Sequence, residues 1–280
     1  MTKSLDKKLI SIAKNHAREL TLAAVCLLVY VPTFIWMWGR WFARDSYYTH
    51  GILIPLVSIF LIWQKRETLA KIHKASSPWG IKLIFAGLAI HLFSSLFRVY
   101  FSSGFSLMLV IPGLILHLYG TAMLMEVAFP VAFLFFMIPL PMVIIANISF
   151  QMKLFAAQIA AAALNGMHIP AVREGSLIKM RTSYVIVDDV CSGLRSLISL
   201  TALGSIFAYW MTSSRTKKII LFLSTIPIAI LTNVVRIIFL SIVSEVWGPQ
   251  HTEGFIHDFS GFMVFALAFL MLFAVGKILE

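Results

Sequence analysis

Apolar residues run through this chain in long blocks separated by short polar stretches, and each block can be measured against the ~20 residues a helix needs to cross a bilayer. Eight blocks are candidates: Leu20 to Trp38, Gly51 to Trp63, Gly80 to Phe97, Ser103 to Tyr119, Thr121 to Leu140, Cys191 to Met211, Ile219 to Val246 and Phe259 to Gly276. The second is short and gains length from Tyr48, Thr49 and His50 upstream, while the fourth and fifth nearly touch and predict a helical hairpin around Gly120. Residues 141–190 break the pattern. There Gln151, Lys153, Gln158, Asn165 and His168 interrupt an alanine-rich stretch of high helix propensity, which predicts an interfacial or partly re-entrant helix rather than a ninth span. From Ala171 to Val190 polar and β-branched residues alternate. Ser176-Leu177-Ile178 and Tyr184-Val185-Ile186-Val187 flank a turn near Arg181-Thr182-Ser183, a pattern that predicts a small β-hairpin on the outer face. The expected fold is an all-α polytopic membrane protein of about eight transmembrane helices. Its interfacial helix and small β-hairpin fall between the fifth and sixth spans. With no internal repeat and no low-complexity tract, residues 1–280 are expected to form one integral membrane domain.

Composition agrees with this reading. Of 280 residues, 60% are hydrophobic and 12% charged, too apolar a balance for a soluble globular domain. The formal net charge of +11 raises nucleic acid as a partner. The lysines and arginines, however, gather between apolar blocks rather than along a basic helix interleaved with aromatics, so no nucleic acid is expected. They serve as topology signals instead. Lys3, Lys7, Lys8, Lys14 and Arg18 precede the first span, Lys65, Arg66, Lys71 and Lys74 follow the second, and Arg215, Lys217 and Lys218 lie between the sixth and seventh. With eight spans all three groups fall on one side, which the positive-inside rule makes the cytoplasm. Residues 1–19 then form a cytoplasmic basic segment and both termini are cytoplasmic. The stretch from Trp247 to Asp258 has no Lys or Arg but carries His251, Glu253, His257 and Asp258, as suits the opposite side.

Charged groups are costly inside a bilayer, so one that is retained there points to function. Arg236 lies deep in the seventh span with Asn233 on the same helix face at i+3 spacing. At ~1.5 Å per residue it stands about 25 Å from the cytoplasmic start near Ile219, in the outer leaflet. Cys191 opens the sixth span and His257 precedes the eighth, so thiol, guanidinium and imidazole are expected at one depth from three consecutive helices. Cys191 taken alone reads equally well as a small buried hydrophobe or as a reactive thiol, the latter favoured by Gly193 beside it and Arg195 one turn on. The depth coincidence favours the reactive reading. Such a set suits cysteine acyl transfer, with a thiolate nucleophile, a histidine moving the proton and a fixed positive charge on the oxyanion. Arg195, Asn233, Asp258 and His50 are expected as substrate-binding or supporting residues. His91, His117, Arg98 and Glu126 are explained by hydrogen bonds between helices. Cys26 lies in mid-block, lipid-facing or as packing filler, and no spacing suggests a metal site or a cofactor. A multipass transporter, or a membrane enzyme that transfers a lipid or acyl group, is the alternative. A transporter has no need of a thiol at the outer boundary.

These residues resemble a known family, the exosortases and archaeosortases, which are polytopic cysteine transpeptidase-like enzymes. The resemblance rests on Val190-Cys191-Ser192-Gly193-Leu194-Arg195-Ser196-Leu197, Asn233-Val234-Val235-Arg236-Ile237 and Phe255-Ile256-His257-Asp258-Phe259-Ser260-Gly261, in that order. Tyr48-Thr49-His50-Gly51-Ile52-Leu53-Ile54-Pro55, Pro139-Leu140-Pro141 and Arg173-Glu174-Gly175 extend it over nearly the whole chain. It implies Cys191 as nucleophile, Arg236 as transition-state stabiliser and His257 as general acid/base. It further implies exported protein substrates with a C-terminal signal made of a short motif such as Pro-Glu-Pro, a membrane helix and a basic tail. The enzyme would lie in the bacterial cytoplasmic (inner) membrane with its active site near the outer, periplasmic face. The chain ends at Glu280 soon after the eighth span, so the periplasmic domain fused to some family members is not expected here.

Overall fold

The computed structural model describes residues 17–44, 46–188, 192–252 and 254–280, which separate into two compact units. The first comprises residues up to 43 together with 51–139. It opens with α1 (Ala17–Val29) and α2 (Val31–Trp41), bent by 61° at the break between them. Pro32, at the start of α2, has no N–H to give back to the preceding turn, which accounts for the bend. Then come α3 (Leu53–Gln64), α4 (Arg66–Lys71), α5 (Pro78–Leu96), α6 (Tyr100–Leu118), α7 (Thr121–Glu126) and α8 (Ala128–Phe133), the last running into a 3₁₀ turn, Leu134–Met137. The α5–α6 hairpin packs through small residues. A Cβ on Gly80 would stand 2.5 Å from His117 N, and one on Gly113 3.0 Å from Ile84 N, so the backbones meet where no larger residue fits.

Hydrogen bonds in this unit satisfy groups that the bilayer cannot. Tyr30 Oη lies 2.6 Å from Ser106 Oγ, Thr33 Oγ1 2.5 Å from Ser103 Oγ, and His91 Nδ1 2.7 Å from the same Ser103 hydroxyl. Glu126 accepts from Lys65 Nζ at 2.6 Å. Both His91 and Glu126 are thus bound across helices, as their place in apolar blocks requires.

The second unit comprises Arg44–His50 and Leu140–Glu280. It holds α9 (Met142–Gly166), strands β1 (Val172–Glu174), β2 (Leu177–Lys179) and β3 (Tyr184–Ile186), then α10 (Leu194–Trp210), α11 (Arg215–Trp247) and α12 (Phe255–Leu279). The strands form one antiparallel sheet in the order β1-β2-β3, with Ile178 opposite Val185. The β2–β3 pair is the expected hairpin, and β1 adds a third strand to it. Ala156, Ala157, Ala160, Ala161 and Leu164 of α9 form one core with Ile178 and Val187 from the sheet side and Val234 and Ile237 of α11. A second core joins Leu200 of α10, Leu221, Ile228 and Ala229 of α11, and Ala268 and Leu272 of α12. At 33 residues α11 is about 50 Å long and exceeds the hydrocarbon thickness. Its last turns brace the sheet: Glu245 Oε2 accepts from Thr182 N and Ser183 Oγ, and Ser244 Oγ donates to the Tyr184 carbonyl.

Among the described residues five helices, α5, α6, α9, α11 and α12, are long and apolar enough to cross a membrane, or six with the bent α1–α2 pair counted as one span. The expectation of about eight is therefore not reproduced. Of residues 51–63, the first two end a 3₁₀ turn, Thr49–Ile52, and the rest lie in α3, a helix of 12 residues, while α10 has 17. The block 121–140 is broken into α7, α8 and a 3₁₀ turn. α9, expected as an interfacial or partly re-entrant piece and counted here by length and apolarity alone, is one continuous helix of 25 residues. Gln151, Gln158 and Asn165 recur every seven residues and remain exposed, so they form a stripe along one helix face rather than a break.

Candidate active site

Arg236 lies two-thirds of the way along α11 and is 7% exposed. A guanidinium has only donors to offer, so its burial requires acceptors nearby. The first turns of α12 supply them. Arg236 Nε donates to Ser260 Oγ at 2.9 Å, and Nη2 lies 3.1 Å from His257 Nε2 and 3.3 Å from the His257 carbonyl. The Ser260 hydroxyl in turn donates to that carbonyl at 2.6 Å. Gly261 leaves room beside the guanidinium, since a Cβ there would approach no nearer than 3.8 Å to Nη2.

This pattern sets the histidine tautomer. With Nη2 donating, His257 Nε2 accepts, so the ring proton sits on Nδ1, which faces Asp258 Oδ1 at 3.6 Å. Asp258 itself is exposed, and the His257 side chain is 31% exposed. The pair is therefore a buried fixed cation touching a basic nitrogen at the rim of the protein. A cation and an acceptor of protons held together in this way suit a reaction in which an oxyanion forms while a proton moves.

His257 was expected in a loop before the eighth span but lies in the first turn of α12, which begins at Phe255 after Gly254 (φ +61°). That turn spacing is what brings the His257 carbonyl to Ser260 Oγ, three residues on.

Cys191, with Asp189 and Val190, lies outside the described residues. Ser192 and Leu194 are buried, the Leu194 N–H donates to Ser192 Oγ at 3.3 Å, and Gly193 takes φ +82°. A Cβ at Gly193 would fall 2.8–3.0 Å from the Asn233 side chain, so only glycine allows this close approach to α11. Asn233 is 2% exposed and precedes Arg236 by one helical turn. Gly193 thus packs on Asn233, one helical turn before Arg236 on α11.

His50 Nδ1 lies 3.2 Å from Ser199 Oγ, one turn beyond Arg195 on α10. Arg195 Nε and His50 Nε2 are buried without a hydrogen-bond partner, and no hydrogen bond or ion pair links either residue to Arg236 or His257 among the described residues. Ser260 and Ser199 had no expected role. The signal for Ser260 was its i+3 spacing from His257 in a helix facing a lone arginine. Among the described residues no group of three or more His, Cys, Asp or Glu side chains gathers as a metal ion requires.

No curated protein and no solved structure matches the chain significantly. The sequence model of the transmembrane exosortase family matches residues 36–274, a span that runs through both units and includes every residue of the site. The chain therefore belongs to the transmembrane exosortase family and is a membrane protein-sorting enzyme.

Proposed function

We propose that this enzyme cleaves C-terminal sorting signals of exported proteins through an acyl-enzyme on Cys191. Its substrates are proteins ending in a short motif of the Pro-Glu-Pro kind, a membrane helix and a basic tail. His257 takes the Cys191 thiol proton, the thiolate attacks the scissile carbonyl carbon, and the resulting oxyanion is stabilised by the Arg236 guanidinium. As the C–N bond breaks, His257 delivers a proton to the leaving amine and a thioester remains on Cys191. Attack by water or an acceptor amine releases the product and restores the thiol. The observation that carries this reading is the 3.1 Å contact between Arg236 Nη2 and His257 Nε2 inside a helical membrane protein. It joins, across two helices, the two groups that the chemistry needs beside a thiol.

In the same proposal the enzyme lies in the bacterial inner membrane with the site near the periplasmic face. Eight crossings, with α9 held at the interface, would leave both termini in the cytoplasm, as the positions of the basic segments support.

The test is a secreted reporter ending in Pro-Glu-Pro, an apolar helix and a basic tail, expressed with the full chain or with its Cys191→Ala and Cys191→Ser variants. Both variants should leave the reporter uncleaved with its tail attached, at less than about a thousandth of the wild-type rate, while remaining in the membrane at normal levels. Normal cleavage by Cys191→Ala would sink the reading.

A further inference from the structure

β3 has one edge taken by β2 and the other open at Ile186. In an antiparallel ladder, hydrogen-bonded and non-bonded pairs alternate. Val187 N–H donates to the Ser176 carbonyl and Met180 N–H to the Ser183 carbonyl, and Ile178 stands opposite Val185. Residues 183, 185 and 187 therefore bond to β2, and the backbone groups of Tyr184 and Ile186 point to the other side. The Tyr184 carbonyl is taken by Ser244 Oγ of α11, which verifies that orientation. Among the described residues nothing takes up the N–H or C=O of Ile186.

The open edge faces a groove of ≈ 440 Å³ within the second unit. One wall is residues 184–188. The other is Ile237 and Leu240 of α11, with Pro249, Gln250 and Thr252 beyond it, and His257 stands in the lining. The volume falls in the range of ligand-binding clefts. Its composition, an apolar floor beside a backbone donor and acceptor, is that of a site for an extended chain. A free strand edge is also a hazard that soluble surfaces conceal with charge or proline, and Tyr184 and Ile186 are neither.

We propose that the polypeptide substrate binds here as an added strand on β3, exchanging main-chain hydrogen bonds with Ile186 and laying alternate side chains against Ile237 and Leu240. The proposal rests on the acyl-transfer reading above, and specifies how that site takes its substrate. Strand addition gives affinity through backbone bonds and leaves selectivity to the alternate side chains. It also fixes direction. A peptide on this edge has His257 in the same groove, and β3 itself leads in sequence to Cys191, five residues after Ile186.

The test uses the full chain carrying Cys191→Ala, with a photo-crosslinking amino acid placed singly at Gln250 or Thr252, or at Val172 on β1 as a control outside the groove. The probe is the reporter with its Pro-Glu-Pro, apolar helix and basic tail. Cross-links at Gln250 and Thr252 should exceed those at Val172 about tenfold and map to the reporter segment next to its membrane helix. Equal yields at Val172, or none at the two groove positions, overturn the inference. If groove cross-links form but the wild-type chain does not cleave the reporter, strand docking stands and the acyl-transfer reading falls. In the cleaving enzyme, Ile186→Pro removes an N–H the ladder does not use and should raise KM about tenfold with kcat little changed. A folded Ile186→Pro enzyme with wild-type KM overturns the proposal, and if that variant does not fold the cross-links alone decide.

Discussion

The guanidinium of Arg236 reaches from α11 to the first turn of α12 and holds His257 by two atoms, the ring nitrogen Nε2 at 3.1 Å and the backbone carbonyl at 3.3 Å. One cation thus orients the imidazole and fixes the helix turn that carries it. Replacing Arg236 tests charge and geometry separately. Arg236→Ala should lower cleavage by about a hundred- to a thousandfold, as the loss of a preformed oxyanion stabiliser does elsewhere. Arg236→Lys keeps the charge but loses the planar fork that spans Ser260 and His257, so an intermediate rate is expected. Equal rates for wild type and Arg236→Ala in a reporter assay would move the electrostatic role elsewhere.

Ser260 links the two residues without being reactive itself, accepting from Arg236 Nε and donating to the His257 carbonyl. Ser260→Ala leaves a buried guanidinium nitrogen without its acceptor, a loss of about 1–3 kcal/mol, or roughly five- to a hundred-and-fiftyfold if all of it falls on the transition state. Ser260→Thr keeps the hydroxyl and should restore most of the rate. A positioning role predicts that kcat falls while the amount of enzyme in the membrane does not. Unchanged kcat in Ser260→Ala would leave this bond without a part in the reaction.

Gly193→Ala puts a methyl group into a left-handed backbone and against Asn233. The conformational cost alone is about 1–2 kcal/mol, and the clash adds to it. Activity should fall well over tenfold, whereas Ser196→Ala, three residues on in the same motif, should change it little. Thermal unfolding in detergent would show the accompanying loss of stability, and a Gly193→Ala variant with wild-type stability and rate would contradict the close approach to α11.

Sidedness follows from the basic segments and can be checked without a substrate. In a chain with Cys26 and Cys191 replaced, a membrane-impermeant thiol reagent applied to spheroplasts should label a cysteine placed at Thr252 and not one at Ser214, which caps the start of α11. Labelling at Ser214 alone would turn the Arg236–His257 pair toward the cytoplasm and remove exported proteins as substrates.

Segment apolarity and the polar residues set within it were legible in the sequence, because both are local properties of the chain. Blocks of hydrophobic residues announced a helical membrane protein, and the alternation from Leu177 to Val187 announced the β2–β3 hairpin. The intramembrane Arg236 and the histidine before the last span were visible as exceptions to composition. The number of crossing helices was not legible, since it depends on where a continuous apolar block bends. The break before Val31 and the interruptions within 121–140 interrupt helices without interrupting hydropathy. Gln151, Gln158 and Asn165 read as interruptions until the alanine face packs against Val234 and Ile237 and turns them outward. Only the tertiary structure decided that Arg236 binds His257 through both ring and backbone, that Ser260 completes the contact, and that Gly193 rests on Asn233. Those relations join residues 21 to 40 positions apart. They depend on the rotation of each helix about its axis, which the packing of neighbouring helices sets and no local pattern records.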